Sequence, residues 1–250
     1  TVLISFARSG NSPESMAAFQ ALRRHIPEAR HLVVTCNPDG RLAKCTQDDE
    51  NAYLLVLPEG TNDNSLAMTA SFSSMALAAL GLGFLDKPDI YRRYTNRSCS
   101  ATEALLEHPS LKLSAIAEKN FNRAVFLGSG ALFGTMQEAA LKMQELTNGR
   151  VATIYNSFLG IRHGPQAFID ENCLIFASVS DNHYVRKYEV DLLNELEEKN
   201  QGCCTLCVAG KFASTAIGGE SSAAKGRGSK DRIVNSPSPG GEDRGGKAHS

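Results

Sequence analysis

Apolar runs of four to seven residues alternate along the chain with longer segments of helical periodicity. Short apolar runs bounded by turn residues predict strands, here at 2–6, 31–36, 53–57, 124–127, 151–155, 173–177 and 203–209. The helical segments are 16–26, 65–80, 132–147 and 184–199. Because apolar runs separated by helices are typical of a parallel sheet covered on both faces, the pattern predicts an α/β protein with two doubly wound halves.

The segment 86–120 is more polar than either half and predicts a mostly helical connection. Its expected core residues are Leu105, Leu106, Leu111, Leu113 and Ile116. The strand pattern starts again at 124–127. We therefore predict a first domain at 1–98 and a second at 99–210.

The composition changes at residue 211. Of the forty residues 211–250, fifteen are Gly or Ser, and the large apolar residues are Phe212, Ile217, Ile233 and Val234. So few apolar side chains cannot form a packed core, so we predict a disordered or non-native tail.

Charge and hydropathy argue against two classes of partner. A net charge of -1 gives no basic surface of the kind that binds nucleic acid. No apolar run is long enough to span a membrane, and the first residues lack the basic region and cleavage site of a signal peptide. We expect no nucleic-acid partner and no membrane partner.

The seven cysteines favour a reducing compartment. Their odd number and irregular spacing give no disulfide framework, so a cytoplasmic location is expected. Cys204 and Cys207 form a Cys-x-x-Cys, but they lie in an apolar run where cysteine is typical of a small buried hydrophobe. Because no second Cys/His pair is suitably spaced, zinc and redox chemistry are not favoured.

The first predicted strand leads into a small polar loop and a helix start. Ser12, Pro13 and Glu14 have the chemistry of an N-cap, a first helical position and a first-turn acid. Such a loop directs backbone N–H groups, the Ser9 and Ser12 hydroxyls and the helix dipole to one point, which suits a phosphate. Arg8 adds a candidate charged clamp. An ordinary turn with a good cap is the alternative.

Ligands in parallel α/β sheets bind at the carboxyl ends of strands, where Arg8 and the segments 61–64, 128–130 and 178–182 are predicted to lie. The glycines of 128–134 also resemble a dinucleotide loop. The next predicted strand, however, ends without the acid that holds a ribose, so NAD is not expected.

Several motifs occur in a fixed order along the chain. They are SFARSGNSPES at 5–15, the segment 31–40, the segment 61–69, Leu127-Gly128-Ser129-Gly130, Glu138-Ala139-Ala140-Leu141-Lys142 and Arg162-His163-Gly164-Pro165. In this order they resemble the sugar isomerase (SIS) family over about residues 1–210. The resemblance implies two SIS domains of flavodoxin-like topology, the first truncated at its N-terminus, and a sugar-phosphate ligand.

The resemblance also implies roles for single residues. The catalytic glutamate of the family matches Glu145, the lysine one turn before it matches Lys142, and the ring-opening histidine matches His163. In relatives that histidine can come from the neighbouring subunit, which implies a homo-oligomer with its active site near the interface. The implied substrate-binding and phosphate-binding residues are Arg8, Ser9, Gly10, Asn11, Ser12, Thr61, Ser129 and Glu138. No metal and no cofactor are implied.

The spacing of Glu138, Lys142 and Glu145 places all three on one helix face. Aldose–ketose interconversion needs a base that moves a proton between C1 and C2 and a group that opens the ring. A carboxylate suits the first task and a histidine the second. Taken alone, however, the spacing is more typical of a solvated salt-bridge face, and a histidine before Gly-Pro is more typical of a surface or capping residue.

Two functions of different classes follow from the resemblance. The first is an enzyme that converts galactosamine 6-phosphate through an enolamine into tagatose 6-phosphate and ammonia, or a plain phosphosugar isomerase. The second is a non-catalytic phosphosugar-binding module that senses or regulates. The presence of both Glu145 and His163 favours the enzyme, and no helix-turn-helix pattern of the kind a regulator carries is visible.

Overall fold

The computed structural model of the chain describes residues 1–47, 49–107, 111–210 and 232–235, with the backbone alone at 111–112 and 232–235. Contacts divide the chain into two compact units, Thr1–Asn96 and Arg97–Ser250. Each unit has its own parallel sheet, which confirms the predicted α/β class. The domain boundary at residue 98 stays a prediction.

Within the described residues, unit 1 has a three-stranded parallel sheet with the order β1-β2-β3. Its strands are β1 (Val2–Ala7), β2 (Arg30–Thr35) and β3 (Ala52–Val56), and its helices are α1 (Pro13–His25), α2 (Arg41–Lys44) and α3 (Ala70–Leu82). The register pairs Val2 with Arg30 and His31 with Ala52. The carboxyl ends of all three strands therefore lie along one edge of the sheet.

Helix α3 begins five residues later than the pattern of 65–80 predicts. The reason is the Asp63 side chain, whose carboxylate accepts hydrogen bonds from the N–H groups of residues 69–71 and fixes the first turn there. A cap usually comes from the residue next to the helix. This cap comes from farther upstream, so the local sequence around residue 70 gave no sign of it.

Unit 2 has a five-stranded parallel sheet within the described residues, with the order β5-β4-β6-β7-β8. Its strands are β4 (Arg123–Gly128), β5 (Ala152–Asn156), β6 (Cys173–Val179), β7 (Cys204–Ala209) and β8 (Arg232–Asn235). The other helices of the chain are α4 (Pro88–Glu107), α5 (Leu111–Ala117), α6 (Ala131–Leu146), α7 (Phe158–Ile161) and α8 (His183–Glu198). Counted within the unit, the strand order is the flavodoxin-like 2-1-3-4-5, as predicted.

Two apolar cores cover the two faces of this second sheet. On one face, Ile175 of β6 packs with Leu192 of α8. On the other, Phe126 stacks on Phe176 at 5.4 Å and packs with Met136 of α6. Successive side chains of a strand alternate between faces. Because both faces are buried, these strands appear in the sequence as continuous apolar runs.

The core prediction for the connecting segment is wrong for three of its five residues. Leu105, Leu106 and Leu113 are exposed, whereas Ile116 is buried. Helix α4 has no buried residue, although Tyr91 donates a hydrogen bond to the Leu77 carbonyl at 3.0 Å and so contacts α3. The side chain of Leu111 lies outside the described residues. Neither α4 nor any other described helix is both long and apolar enough to cross a membrane.

Most of the predicted tail, 211–250, lies outside the described residues. Four of its residues, Arg232–Asn235, form β8 and pair with β7. The prediction that 211–250 form a disordered or non-native tail stays a prediction, although these four residues form a strand. They include Ile233 and Val234, whose branched side chains favour strands.

Candidate functional site

The loop that follows β1 brings Arg8, Ser9, Gly10, Asn11 and Ser12 together at the carboxyl edge of the first sheet. Gly10 has a φ of +64°, a conformation that favours glycine. Its carbonyl accepts a hydrogen bond from Leu42 N at 2.9 Å, and an added Cβ would lie 3.3 Å from Leu42 Cβ. The loop is therefore locked against α2.

The polar side chains of this loop hold neighbouring backbone groups. Ser12 Oγ accepts from Ser15 N at 3.1 Å and caps α1. Asn11 Oδ1 accepts from Arg41 N at 3.0 Å, at the first residue of α2. Ser9 Oγ accepts from Asn11 N at 3.4 Å. These contacts shape the loop, so an anion here would be bound mainly by backbone N–H groups and the dipole of α1.

Arg8 is the cation of this loop. One terminal guanidinium nitrogen donates to the backbone carbonyl of Asp63 at 2.5 Å, while Nε is buried without a hydrogen-bond partner. No ion pair with another described residue neutralises the guanidinium. A partly buried cation whose Nε is an unsatisfied donor, beside a helix N-terminus, is an arrangement that an anionic ligand would stabilise.

The carboxylate of Asp63 is fully engaged by α3. It accepts from Ser71 N at 2.8 Å and Ser71 Oγ at 2.7 Å, and also from the N–H groups of Ala70 and Thr69. Hydrogen bonds from the N–H and hydroxyl of Ser71, with those of Ala70 and Thr69, hold the pKa of the Asp63 carboxyl well below its usual range. The sequence reasoning did not select Asp63, because its cap is not a local pattern.

Thr61 also lies at this edge of the sheet. Its hydroxyl donates to the Pro58 carbonyl at 2.7 Å and lies 3.3 Å from the Sγ of Cys36, the residue that follows β2. Its position agrees with the predicted strand ends. Its hydroxyl proton is already used within the loop, so towards a ligand Thr61 offers an acceptor oxygen.

In unit 2, the glycine loop after β4 starts α6. A Cβ at Gly128 would lie 2.6 Å from the Leu132 carbonyl oxygen, and Gly130 has a φ of +58°, so both positions favour glycine. Ser129 accepts a backbone hydrogen bond from Leu132 at 3.1 Å in the first turn. The loop lies between neighbouring strands β4 and β6, at the switch point where α/β sheets bind ligands.

A buried glutamate holds the loop on the other side of this switch point. Glu189 of α8 is 1% exposed. Its Oε2 accepts from Ser180 N at 2.8 Å, and its Oε1 is buried without a partner. The sequence predicted the placement of 178–182 but missed Glu189, because an acid within a strongly charged helix carries no local sign of burial.

Glu138, Lys142 and Glu145 form one charged cluster on α6. Lys142 Nζ lies 2.6 Å from Glu145 Oε2 and 3.2 Å from Glu138 Oε1. The three side chains are only 18–24% exposed, so the cluster is not a fully solvated face. Burial lowers the pKa of Lys142, but hydrogen bonds and negative charge from Glu145 and Glu138 outweigh it and raise that pKa above its usual value.

His163 lies exposed in the turn after α7. The adjacent Arg162 forms an ion pair with Asp191 at 2.8 Å and another with Glu195, which fixes the turn to α8. In the part of the chain that the structure describes, the His163 side chain makes no hydrogen bond or ion pair, either with Glu145 or elsewhere. The structure therefore brings Glu138, Lys142 and Glu145 together, but not His163.

A cleft of about 350 Å³ lies beside Glu138, between α6 and the edge strand β5. Its polar lining comes from Gln137, Gln144, Thr153 and Tyr155. The volume lies within the usual range for small-molecule pockets, roughly 300–1,000 Å³. Amide and hydroxyl groups in this number suit a ligand with several hydroxyls.

The cysteines of the Cys-x-x-Cys are buried in β7, as predicted. Cys204 belongs to one apolar core and Cys207 to the other, so they lie on opposite faces of the sheet. Within 1–47, 49–107 and 111–210, no group of three or more His, Cys, Asp or Glu side chains is arranged to hold a metal ion.

No protein-family model matches the chain. A D-galactosamine-6-phosphate deaminase AgaS from Escherichia coli is 37% identical over 222 residues, which cover 87% of this chain and 56% of that protein. The protein of the same name from Shewanella sp. (strain ANA-3) is 38% identical over 218 residues, 87% of this chain and 55% of the relative. The chain thus spans a little over half the length of these curated relatives.

A solved structure also has a fold similar to that of this chain. The crystal structure of tagatose-6-phosphate ketose/aldose isomerase from Escherichia coli has a TM-score of 0.81 at 33% identity, covering 95% of this chain and 61% of that one. The chain therefore shares the α/β fold of that protein. The chain belongs to the sugar isomerase (SIS) family, which confirms the resemblance. Within the family it is similar to the AgaS deaminases and the tagatose-6-phosphate isomerase.

Proposed function

We propose that this protein converts galactosamine 6-phosphate into tagatose 6-phosphate and ammonia. After ring opening, a proton moves from C2 to C1 through an enolamine, and water hydrolyses the resulting ketose imine. The protein is then both an isomerase and a hydrolytic deaminase. The observation that carries the proposal is the partly buried cluster of Glu138, Lys142 and Glu145 on α6. The names of the relatives supply the substrate.

In this reaction Glu145 is the base that removes the C2 proton and returns it to C1. Lys142 supplies positive charge 2.6 Å from Glu145 and stabilises the negative charge that develops on the sugar oxygen during transfer. Glu138, on the other side of Lys142, binds the substrate, since it also lines the cleft with amide and hydroxyl groups. The cluster thus offers a base and a charge stabiliser on one rigid helix.

The phosphate group would bind at the loop Arg8 to Ser12. Support comes from the helix N-terminus at Ser12, the φ of +64° at Gly10 and the partly buried guanidinium of Arg8, whose Nε has no hydrogen-bond partner. Helix N-termini and arginines are the usual phosphate-binding groups of proteins. Thr61 and Ser129 add hydroxyls at the carboxyl edges of their own sheets.

We also propose that the protein is a cytoplasmic homo-oligomer in which His163 acts in the active site of a neighbouring copy. The exposed His163 side chain has no polar partner among the described residues, while the turn that carries it is fixed by Arg162. A rigid, exposed catalytic group is suited to completing another subunit's site. The seven reduced cysteines agree with a reducing compartment.

The first prediction is that Glu145→Gln lowers ammonia release from galactosamine 6-phosphate by about 10²- to 10⁴-fold, the usual contribution of a positioned base. Ammonia and ketose phosphate are measured together, with glucosamine 6-phosphate as the competing sugar. Glu198→Gln is the matched control, because Glu198 is exposed on α8 and should keep full activity.

Two outcomes would contradict the catalytic proposal. If Glu145→Gln releases ammonia as fast as the unchanged chain, the base assignment is wrong. If the chain binds the sugar phosphate without turnover, and a version extended to the full length of the relatives also fails, the protein is the non-catalytic binding module.

The second prediction concerns the shared site. Glu145→Gln and His163→Ala chains are each inactive, but a mixture of the two, unfolded and refolded together, regains activity, because a mixed oligomer contains sites with both groups intact. Light scattering gives the oligomeric state. A monomer, or a mixture as inactive as its components, would rule out donation of His163 between subunits.

A further inference from the structure

The sulfur atoms that converge in unit 2 are not those of the Cys-x-x-Cys. Cys204 and Cys207 are separated by the sheet, one in each apolar core. Cys203 and Cys204 instead have their Sγ atoms 3.7 Å apart, and both pack against the same core. Adjacent residues of a regular strand point to opposite faces, so this convergence requires a local change of the backbone.

Gly202 provides that change. Its φ is +76°, and an added Cβ would lie 2.7 Å from Ile175 Cδ1, so only glycine fits. The N–H of Gly202 donates to the Asp170 carbonyl at 3.1 Å, and the N–H of Cys203 donates to the Cys173 carbonyl at 2.8 Å. The bend before β7 is therefore fixed, and the two thiols are held together before any ligand binds.

We propose that Cys203 and Cys204 form a chelating dithiol site for trivalent arsenicals. A disulfide between them would require the sulfurs to approach to about 2.0 Å. The two sulfurs are 3.7 Å apart, so a disulfide would require them to move closer by about 1.7 Å at the start of β7. A single arsenic atom bonded to both sulfurs holds them farther apart than a disulfide does, so it fits the spacing with little movement.

The reaction is balanced without an oxidant or a reductant. Phenylarsine oxide in water is hydrated to PhAs(OH)₂. Cys203, which is partly exposed, attacks first: an As–S bond forms, an As–OH bond breaks, and the thiol proton leaves with the hydroxide as water. Cys204, which is 2% exposed and beside it, displaces the second hydroxide in the same way. Two As–S bonds replace two As–O bonds, and two water molecules are released.

Neither the buried thiol of Cys173 nor the exposed thiols of Cys45 and Cys99 should bind arsenic as this pair does. Cys173 is fully buried, and burial, with the negative charge of Asp170, raises the pKa of its thiol to about 12, so it stays protonated. Cys45 and Cys99 are exposed, but neither has a second thiol beside it in the described structure. Each of them would bind arsenic through one As–S bond, which an excess of monothiol removes.

The test is retention of arsenic after a monothiol challenge. The chain is treated with phenylarsine oxide and then with excess 2-mercaptoethanol, and its intact mass is measured by mass spectrometry. We expect one arsenic per chain, which 2,3-dimercaptopropanol then removes. Cys203→Ser should reduce retention from one to none, whereas the matched controls Cys45→Ser and Cys99→Ser should keep one.

Peptide mapping of the unchanged chain shows where the arsenic is bound, so it tests the proposal even if Cys203→Ser fails to fold. The retained arsenic should lie on the peptide that contains residues 203–204. The proposal is overturned if the unchanged chain retains none, if a folded Cys203→Ser retains one, or if the arsenic maps to another peptide.

Discussion

Asp63 in unit 1 and Glu145 in unit 2 are both carboxylates beside a helix, but they bond to different partners. Asp63 accepts hydrogen bonds from three backbone N–H groups and from two hydroxyls, those of Ser71 and Thr69, at the start of α3. Glu145 bonds to a side chain, Lys142, one turn away on the same helix. The first carboxylate is part of the backbone architecture, and the second is part of a charged surface.

The same contrast extends to the whole of each region. Around Arg8, the side chains of Ser12 and Asn11 cap helices, so the groups left to meet a ligand are backbone N–H groups and one guanidinium. On α6, the backbone is an ordinary helix, and the charged side chains of Glu138, Lys142 and Glu145 form the cluster. A change of backbone conformation should therefore damage the first region, and a change of side-chain charge should affect the second.

The largest effect is expected from Gly10→Val. A β-branched residue at a φ of +64° is strained, which costs about 1–3 kcal/mol of unfolding free energy, and its Cβ would press on Leu42. The chain has no tryptophan, so urea unfolding is followed by far-UV circular dichroism. Binding of inorganic phosphate, measured by calorimetry, should weaken in the same variant.

The matched change in the second region is Gly134→Ala on α6. No atom lies within 4 Å of an added Cβ there, and the position is helical, so alanine should stabilise the chain by about 0.5–1 kcal/mol. If Gly10→Val is as stable as the unchanged chain, the loop is not locked and the contrast between the two regions fails.

The parts of the fold that the sequence predicted are those that depend on neighbouring residues. Ser12, Pro13 and Glu14 mark the start of α1 because a cap is a local device. The strands of unit 2 were evident because burial on both faces makes them continuously apolar. What sequence reasoning missed depends on distant contacts, such as the cap of α3 and the exposure of Leu105.

For the candidate site too, the sequence predicted the local features and missed those that depend on distant contacts. Periodicity alone put Glu138, Lys142 and Glu145 on one face but could not give their partial burial, which depends on the residues around α6. The order of the motifs, not the spacing, selected them as functional. Glu189 was missed altogether, since only the folded β6–α8 loop shows that its carboxylate is buried.

The next prediction concerns the loss of stability at acidic pH, and the residue responsible lies in unit 1. His31 is 1% exposed, shares a hydrogen bond of 2.9 Å with Ser5 Oγ and stacks on Phe19. Burial, followed by the positive charge of Arg23, lowers the pKa of His31, with Asp49 opposing the shift. Because the pKa of His31 in the folded chain lies below the usual histidine value of 6.5, the unfolded chain binds this proton more readily. The stability of the fold is therefore fully present above pH 6.5 and is lost as the pH falls below it.

A single titrating group changes the unfolding free energy by at most about 1.4 kcal/mol per pH unit. We expect His31→Gln to remove this slope just below pH 6.5 and His25→Gln, at an exposed position of α1, to keep it. Urea unfolding at a series of pH values measures it. Asp63 contributes separately, since its lowered pKa affects the stability of the fold only below the usual aspartate pKa of 3.8. Equal slopes in both variants would remove His31 as the acid-sensitive group.

The smallest effect is expected from Lys142→Met and belongs to unit 2. Removing the lysine breaks two ion pairs and leaves Glu138 and Glu145 without their cation, at a cost of about 0.5–1 kcal/mol. Because the pKa of Lys142 is raised in the folded chain, the stability that its charge gives is present below the usual lysine pKa of 10.5 and is lost as the pH rises through the folded value. The loss in the variant is therefore measurable by urea unfolding at neutral pH.

Lys199→Met is the matched control, since Lys199 forms one ion pair with Glu195 at an i,i+4 spacing and is 56% exposed. An exposed pair of this kind contributes about 0.3–0.5 kcal/mol. If Lys142→Met costs more than this control, partial burial strengthens the charged cluster on α6, as a site for chemistry requires. If the two variants lose the same unfolding free energy, the cluster behaves as an ordinary salt-bridge surface. Asp63 and Glu145 would then differ only in the number of hydrogen bonds that each carboxylate accepts.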